Sequence, residues 1–227
     1  MTKDLIRCSW CGVDPLYVAY HDNEWGTPIH DDSVLFEFLT LEWAQAGLSW
    51  ITVLRKQENY RKYFYNWNIE KIAQMRDEEL EKILLDPGVV RNRLKIYSVR
   101  KNAIVALQIQ QEFWSLDNYL WNSGFCHREE RSDPEKQKGI PDSDWIASPA
   151  RNDRYSQIFP VINHPQSLSD FVSESEISKK ISKDLKKRGM SFVGSTIIYA
   201  FMQAVGMVDD HIETCFRKNI VGREIKI

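Results

Sequence analysis

Glu42 falls on the apolar stripe of a predicted helix. In DDSVLFEFLTLEWAQAG, residues 31–47, Leu35, Phe38, Leu39 and Glu42 share one face at helical spacing. A carboxylate there must be paired, hydrogen-bonded or neutralised, because burying it bare is costly. Around it in sequence lie Trp10, Tyr17, Tyr20, Trp25, Trp43 and Trp50. A buried acid facing flat, electron-rich rings suits a planar ligand that is electron-poor or cationic. The plainer alternative is a Glu that pairs with an Arg or Lys in a half-buried groove.

A second set of residues could hold a metal. DDHIETC places His211 and Cys215 four residues apart, so on a helix begun by Asp209 or Asp210 both would project from one face. That is a sound half-site for zinc. Cys8 and His21 are candidates for the other half, with Cys11 a rival because Cys8-Ser-Trp-Cys11 is itself a CxxC pair. The spacing matches no zinc finger, and buried thiols are the alternative. A full Cys/His set leaves no open position, so such a metal would be structural and would staple the two chain ends.

A third set could hold phosphate. LEKILLDPGVVRNRLKIYSVRKNAIVAL reads as helix, turn at Pro87-Gly88, then a basic helix, with Leu80, Ile83 and Leu84 as the first apolar stripe and Val89 and Val90 plugging the hairpin. Such a helix–hairpin–helix aims backbone N–H groups at a phosphate, and Arg91, Arg93 and Lys95 add charge. An ordinary αα-hairpin is the alternative. No acid follows Asp86 until Glu112, so this element supplies anchoring and not a catalytic acid. Ala46-Gly47-Leu48-Ser49 lies beside the aromatic cluster. Leu48 next to Gly47 suits a wedge that fills the gap left by an extruded base, or else a side chain tucked into the core.

The elements that must position these residues are helical nearly throughout, which predicts an all-α fold. Asp31, Asp32 or Ser33 caps the Glu42 helix, which stops at Gly47. Ser49 caps a helix over WITVLRKQENYRKYFYNW, and Asn68 and Asp77 open two shorter ones. A helix carrying Ile177, Ile181 and Leu185 stops at Gly189. The next, SFVGSTIIYAFMQAVG, is apolar nearly all round and stops at Gly206, as a central core helix would. No alternating strand run is visible. Residues 122–160 are polar and rich in turn formers, which predicts a long inserted loop.

With 227 residues and 43% hydrophobic content, the chain can bury a full core as one domain, carrying that insertion and a short tail from about residue 217. A net charge of −2 and a pI near 6.2 argue against coating nucleic acid by bulk charge. Local basic faces are still available in RNRLKIYSVRK and KKISKDLKKRG, although most such runs are solvated helix faces. No run of about 18 apolar residues exists and MTKDLIRCSW lacks a signal-peptide core, so a cytoplasmic protein without a membrane partner is expected. In that compartment the four cysteines are metal ligands or buried thiols in preference to disulfides.

RCSWCGVDPLYVAYHDNEWG, LEWAQAGLSWITVL, GVVRNRLKI and LKKRGMSFVGSTIIYAFMQAVGMVDDH together closely resemble the DNA-3-methyladenine glycosylase I family, constitutive alkylation-repair enzymes of the helix–hairpin–helix superfamily. The resemblance covers nearly the whole chain outside 122–160 and the last dozen residues. It implies a structural zinc on Cys8, His21, His211 and Cys215, with no ligand role for Cys11. It further implies base recognition by Glu42, a hydrogen bond to the base from Tyr20 and stacking on Trp50, with Trp10, Tyr17 and Trp25 completing the aromatic walls. The implied partner is double-stranded DNA with alkylated bases, met by a monomer through Leu48, Gly88, Arg91, Arg93 and Lys95. The implied reaction is hydrolysis of the N-glycosidic bond of 3-methyladenine. No Lys lies in the pocket motifs, so lyase activity is not expected. Two features depart from the pattern. Trp43 stands where the family usually has Gly, and the 122–160 loop, with Cys126 and His127, is longer than the usual connection.

Overall fold

The computed structural model describes residues 5–122 and 160–218. The body of the insertion, with Cys126 and His127, and the tail beyond Lys218 lie outside the described residues.

Ten α-helices occur among the described residues: α1 Pro15–Asn23, α2 Asp32–Gln45, α3 Trp50–Leu54, α4 Gln57–Tyr63, α5 Ile69–Ala73, α6 Asp77–Leu85, α7 Arg93–Phe113, α8 Leu116–Asn122, α9 Glu176–Lys187 and α10 Ser195–Ala204. Side-chain caps start several of them. The Asp31 carboxylate accepts from Val34 N at 3.0 Å to open α2, and Asn68 and Ser175 do the same for α5 and α9. The left-handed glycines Gly47, Gly189 and Gly206 follow α2, α9 and α10. No expected element corresponds to α1, yet Asp14 caps it and Pro15 occupies its first position, a start signal legible in the sequence.

Three expectations need correction. The single helix over residues 50–67 is broken at Arg55 and Lys56 into α3 and α4, and it ends in Tyr65, Asn66 and Trp67 at φ 53°, 49° and 62°. Three left-handed side-chain-bearing residues are strained. The return they allow puts Trp67 in the core, stacked 5.6 Å from Phe64 and 6.4 Å from Tyr60. Second, the fold is mostly but not wholly helical. β1 Val161–Ile162 runs parallel to β2 Val208–Asp209, with Val161 opposite Val208. Two-residue strands leave no alternation to read. Third, His211 and Cys215 do not ride a helix. After β2 the chain turns, with Cys215 N donating to Ile212 O, and it reaches the same convergence without helical spacing.

At the centre, α10 packs between α9 and α2, while α7 packs on α5. The α2 helix is buried at every position from Leu35 to Ala44, so both of its interior acids are enclosed. Gly206 lets the segment before α2 dock on the end of α10: Gly26 N donates to Ala204 O and Ile29 N to Val205 O. A Cβ at Gly206 would stand 2.5 Å from Pro28 N and 2.6 Å from the Thr27 carbonyl carbon, at a φ of +75°. Both neighbours are backbone and cannot swing aside. Gly206→Ala should therefore destabilise the protein by about 2–4 kcal/mol in urea unfolding. A loss under about 1 kcal/mol would show that the packing there is slack.

Candidate active site and metal cluster

The two buried acids of α2 are treated differently. Glu37 accepts from Gln57 Nε2 and from Arg61 Nε, each at 2.8 Å, and so follows the ion-pair alternative considered for Glu42. Glu42, five residues on, is 7% exposed and makes no hydrogen bond or ion pair among the described residues. Burial pushes its carboxyl up to about 8. The chain therefore holds a largely buried carboxyl group with no protein partner among the described residues, which a stability argument alone would not retain.

Rings gather round it. Tyr20 is buried with its centroid 5.4 Å from Trp50 and 6.3 Å from Trp10, and Trp10 lies 5.2 Å from Tyr17. Burial, and then the Glu42 charge, raise the Tyr20 hydroxyl well above its ordinary value; burial, Cys11 and Glu42 raise Tyr17. Both tyrosines thus sense Glu42. The indole N–H of Trp10 is buried with no acceptor, and that of Trp50 turns toward the Tyr20 hydroxyl. Two buried indole donors and one carboxyl without a protein partner, beside aromatic faces, are the polar points a flat heterocycle would need.

Trp25, an expected wall residue, and Trp43, the departure from the family pattern, make no ring contact with Tyr17 or Tyr20 among the described residues. Trp25 packs 4.5 Å from the His211 ring and 4.9 Å from Trp10, forming a partition between the aromatic slot and the histidines. Trp43 is fully buried in the core and presents no surface to an approaching macromolecule. A shallow polar cavity of about 550 Å³, lined by Glu58, Arg61, Lys62, Tyr65, Asn66 and Lys71, involves none of the slot residues.

Behind the partition, Cys8, His21, His211 and Cys215 are all buried, with ligand atoms within 4.8 Å of one another. Cys215 Sγ lies 3.4 Å from His21 Nε2 and 3.7 Å from His211 Nδ1, and Cys8 Sγ lies 3.6 Å from His211 Nδ1. His21 Nδ1 meets Asp22 Oδ1 at 2.8 Å, and Asp22 is held in turn by Arg7, which leaves Nε2 to face the cluster. The thiols share a proton unequally. Hydrogen bonding from Cys8 and the histidines holds Cys215 low, and its bond to Cys215 together with burial holds Cys8 high. Cys11 points away, its Sγ donating to Cys8 O at 3.2 Å, so it is no rival ligand.

The turn between α6 and α7 has Val89 buried beneath it and Val90 half-buried. Its amides are not free as expected. Gly88 N donates to Asp86 Oδ1 at 2.6 Å, Val89 N to Asp86 O and Val90 N to the Tyr60 hydroxyl. A Cβ at Gly88 would meet Asn59 Nδ2 at 2.5 Å and Asp86 Oδ1 at 2.8 Å, both ends of side chains that would have to give way. The amides of Arg91, Arg93 and Leu94, at the start of α7, have no acceptor among the described residues. Arg91 is exposed, and Arg93 is exposed but paired with Glu81 at 2.5 Å. Lys95 is corrected outright: it is 8% exposed and its Nζ is spent on Ala44 O and Ala46 O. Leu48, 39% exposed, is held out and not tucked into the core.

The chain belongs to the methyladenine glycosylase family, whose sequence profile matches residues 10–150 and 152–218. It is 39% identical over 209 residues to DNA-3-methyladenine glycosylase 1 of Escherichia coli (strain K12), covering 92% of this chain and 95% of that one. A crystal structure of 3-methyladenine DNA glycosylase I superposes with a TM-score of 0.77 at 40% identity, covering 94% of this chain and all of the other. A Tyr-to-Phe variant of 3-methyladenine DNA glycosylase I, crystallised in complex with 3-methyladenine, superposes with a TM-score of 0.76 at 29% identity, over 93% of this chain and 97% of that one.

Proposed function

We propose that this protein is a monomeric, monofunctional DNA glycosylase that hydrolyses the N-glycosidic bond of 3-methyladenine in alkylated double-stranded DNA. The observation that carries this reading is the buried carboxyl of Glu42, whose charge both Tyr17 and Tyr20 sense, with the Trp50 ring 5.4 Å from Tyr20. Methylation at N3 makes adenine cationic and weakens the bond to the sugar, so the leaving base needs little protonation. The enzyme must extrude the base and hold it, and the bond's own lability supplies much of the rest. Glu42 accepts from the exocyclic amine and complements the cation, Trp50 stacks on it, and Tyr20 adds a hydrogen bond. Trp10 and Tyr17 close the slot, with Trp25 behind them. The Lys95 ammonium is tied to two carbonyls and does not serve as a nucleophile.

The α6–α7 unit acts as a helix–hairpin–helix in which the start of α7, with Arg91 and Arg93, anchors phosphate; Gly88 shapes the turn. Arg91→Ala with Arg93→Ala should weaken binding to every duplex alike and flatten the salt dependence by about 0.9 in log–log slope for each phosphate no longer neutralised. An unchanged slope would remove both residues from the interface.

The metal cluster holds zinc. A tetrahedral site with ordinary Zn–S and Zn–N bonds has S···N edges of about 3.5 Å, which the 3.4, 3.6 and 3.7 Å separations here match. Four protein donors complete the tetrahedron, so zinc would supply structural cross-linking and no activated water. The deciding experiment incubates the purified protein with methylated duplex and identifies released bases by mass spectrometry. Release of 3-methyladenine with an intact strand is expected; no released base, or a nicked strand, would overturn the proposal.

A further inference from the structure

Lys95 is buried without a counter-ion among the described residues. Its ammonium donates to Ala44 O at 3.0 Å and Ala46 O at 2.8 Å, at the C-terminal end of the helix that carries Glu42. An ammonium taken from water is costly, and helix-end carbonyls with their partial negative charge compensate for it. A hydrophobic side chain would close the same gap at less cost, so the charge calls for a further explanation.

The loop it holds is pinned from a second side. Gln45 Nε2 donates to Leu48 O at 2.8 Å, Leu48 N donates to Gln45 O at 2.6 Å, and Gly47 turns at φ +85°. This pinning leaves the one large apolar side chain of the loop, Leu48, in solvent. Lys95 itself stands in the first turn of α7, directly after Arg91 and Arg93.

We propose that Lys95 is a positioning residue for base extrusion, locking the Ala46–Ser49 loop to the start of α7 so that Leu48 enters the duplex in register with the phosphate anchor. The inference rests on the glycosylase reading above. It assigns Lys95 no contact with DNA or base. If the ammonium is removed, the loop keeps its sequence but loses its tie to α7, and Leu48 arrives out of place.

Lys95→Met keeps the apolar stem and removes the charge. Single-turnover release of 3-methyladenine is measured on a lesion paired in a duplex and on the same lesion unpaired in a bulge. Release from the paired lesion should slow by about 10- to 100-fold, as misplacement by an ångström does elsewhere. Release from the bulge should stay within about twofold of wild type, because an unpaired base needs little help to leave the stack. The salt slope for undamaged duplex should not move, which separates this role from a phosphate contact. Lys95→Met combined with Leu48→Ala should be no slower on the paired lesion than the worse single variant. Equal slowing on both substrates, a changed salt slope or full additivity overturns the proposal. Should Lys95→Met fail to fold, Gln45→Ala frees the same loop from the surface side. It should show the same paired-only loss, and wild-type rates on the paired lesion would count against the inference. A wild-type protein inert on both substrates would instead refute the glycosylase reading.

Discussion

Glu42→Gln should lower kcat/KM for release of 3-methyladenine by about 100-fold while leaving the fold and the metal cluster intact, the loss of one charge-assisted hydrogen bond worth about 1.5–3 kcal/mol. Gln keeps the shape and one acceptor but loses the charge. Where that loss falls follows from the charge flow. Positive charge leaves the base for the sugar as the bond breaks, so an anion beside the base favours the flipped substrate more than the transition state. The defect should therefore appear mainly as weaker capture of the flipped base, with kcat less affected. Trp50→Ala should cost about 1–3 kcal/mol of stacking. Tyr20→Phe should cost about 0.5–1.5 kcal/mol, less than either of the others.

The raised carboxyl makes the same prediction testable by pH. With the free enzyme's Glu42 titrating near 8, kcat/KM should rise with pH up to about that value and then level. A bound cation favours the carboxylate, so the corresponding limb in kcat should lie lower. In Glu42→Gln the limb should vanish. Stability should move the other way. The folded group holds its proton more tightly than the unfolded one, so this contribution is fully present below the ordinary value of 4.5 and is lost as pH rises towards 8. The loss is on the order of a few kcal/mol in wild type and absent from the Gln variant. Wild-type release rates from Glu42→Gln, with an unshifted pH profile, would return the acid to a structural role.

What the sequence revealed and what it hid follow from how local each signal is. Spacing alone placed Glu42 on a buried face. It could not distinguish Glu42 from Glu37, because the partners that separate them, Gln57 and Arg61, come from α4. The basic run after the hairpin suggested one cationic face, whereas Lys95 turns inward, Arg93 pairs with Glu81, and Arg91 is left outside. Those fates are set by tertiary neighbours that composition does not name. The left-handed return at residues 65–67 stayed hidden because the burial of Trp67 against Phe64 and Tyr60 decides it. The convergence of His211 and Cys215 was anticipated for the wrong local reason, since a turn after a two-residue strand serves as well as a helix. The Asp14-Pro15 start of α1 was the one local signal left unused.

Stripping the metal should cost more than any single substitution outside the cluster. Cys8 and His21 come from the first elements of the chain, and His211 and Cys215 from the last described segment, so one ion bound there would close nearly the whole chain. Binding energy of such a site becomes folding energy. This protein also has a large apolar core, so removal should not abolish folding. It should lower stability by about 5 kcal/mol or more, a fall in Tm of roughly 10–20 °C. Asp22→Asn should weaken retention of zinc by about 10- to 100-fold, because Asp22 fixes the His21 ring with Nε2 inward. Cys11→Ala should retain one equivalent of zinc, since its thiol bonds to Cys8 O outside the cluster. The measurements are elemental analysis of protein purified without chelator and thermal unfolding with and without one. Folded protein that carries no zinc, or an unfolding curve indifferent to the chelator, would leave four buried donors converging on nothing. The separations of 3.4–3.7 Å between sulfur and nitrogen would then need another cause.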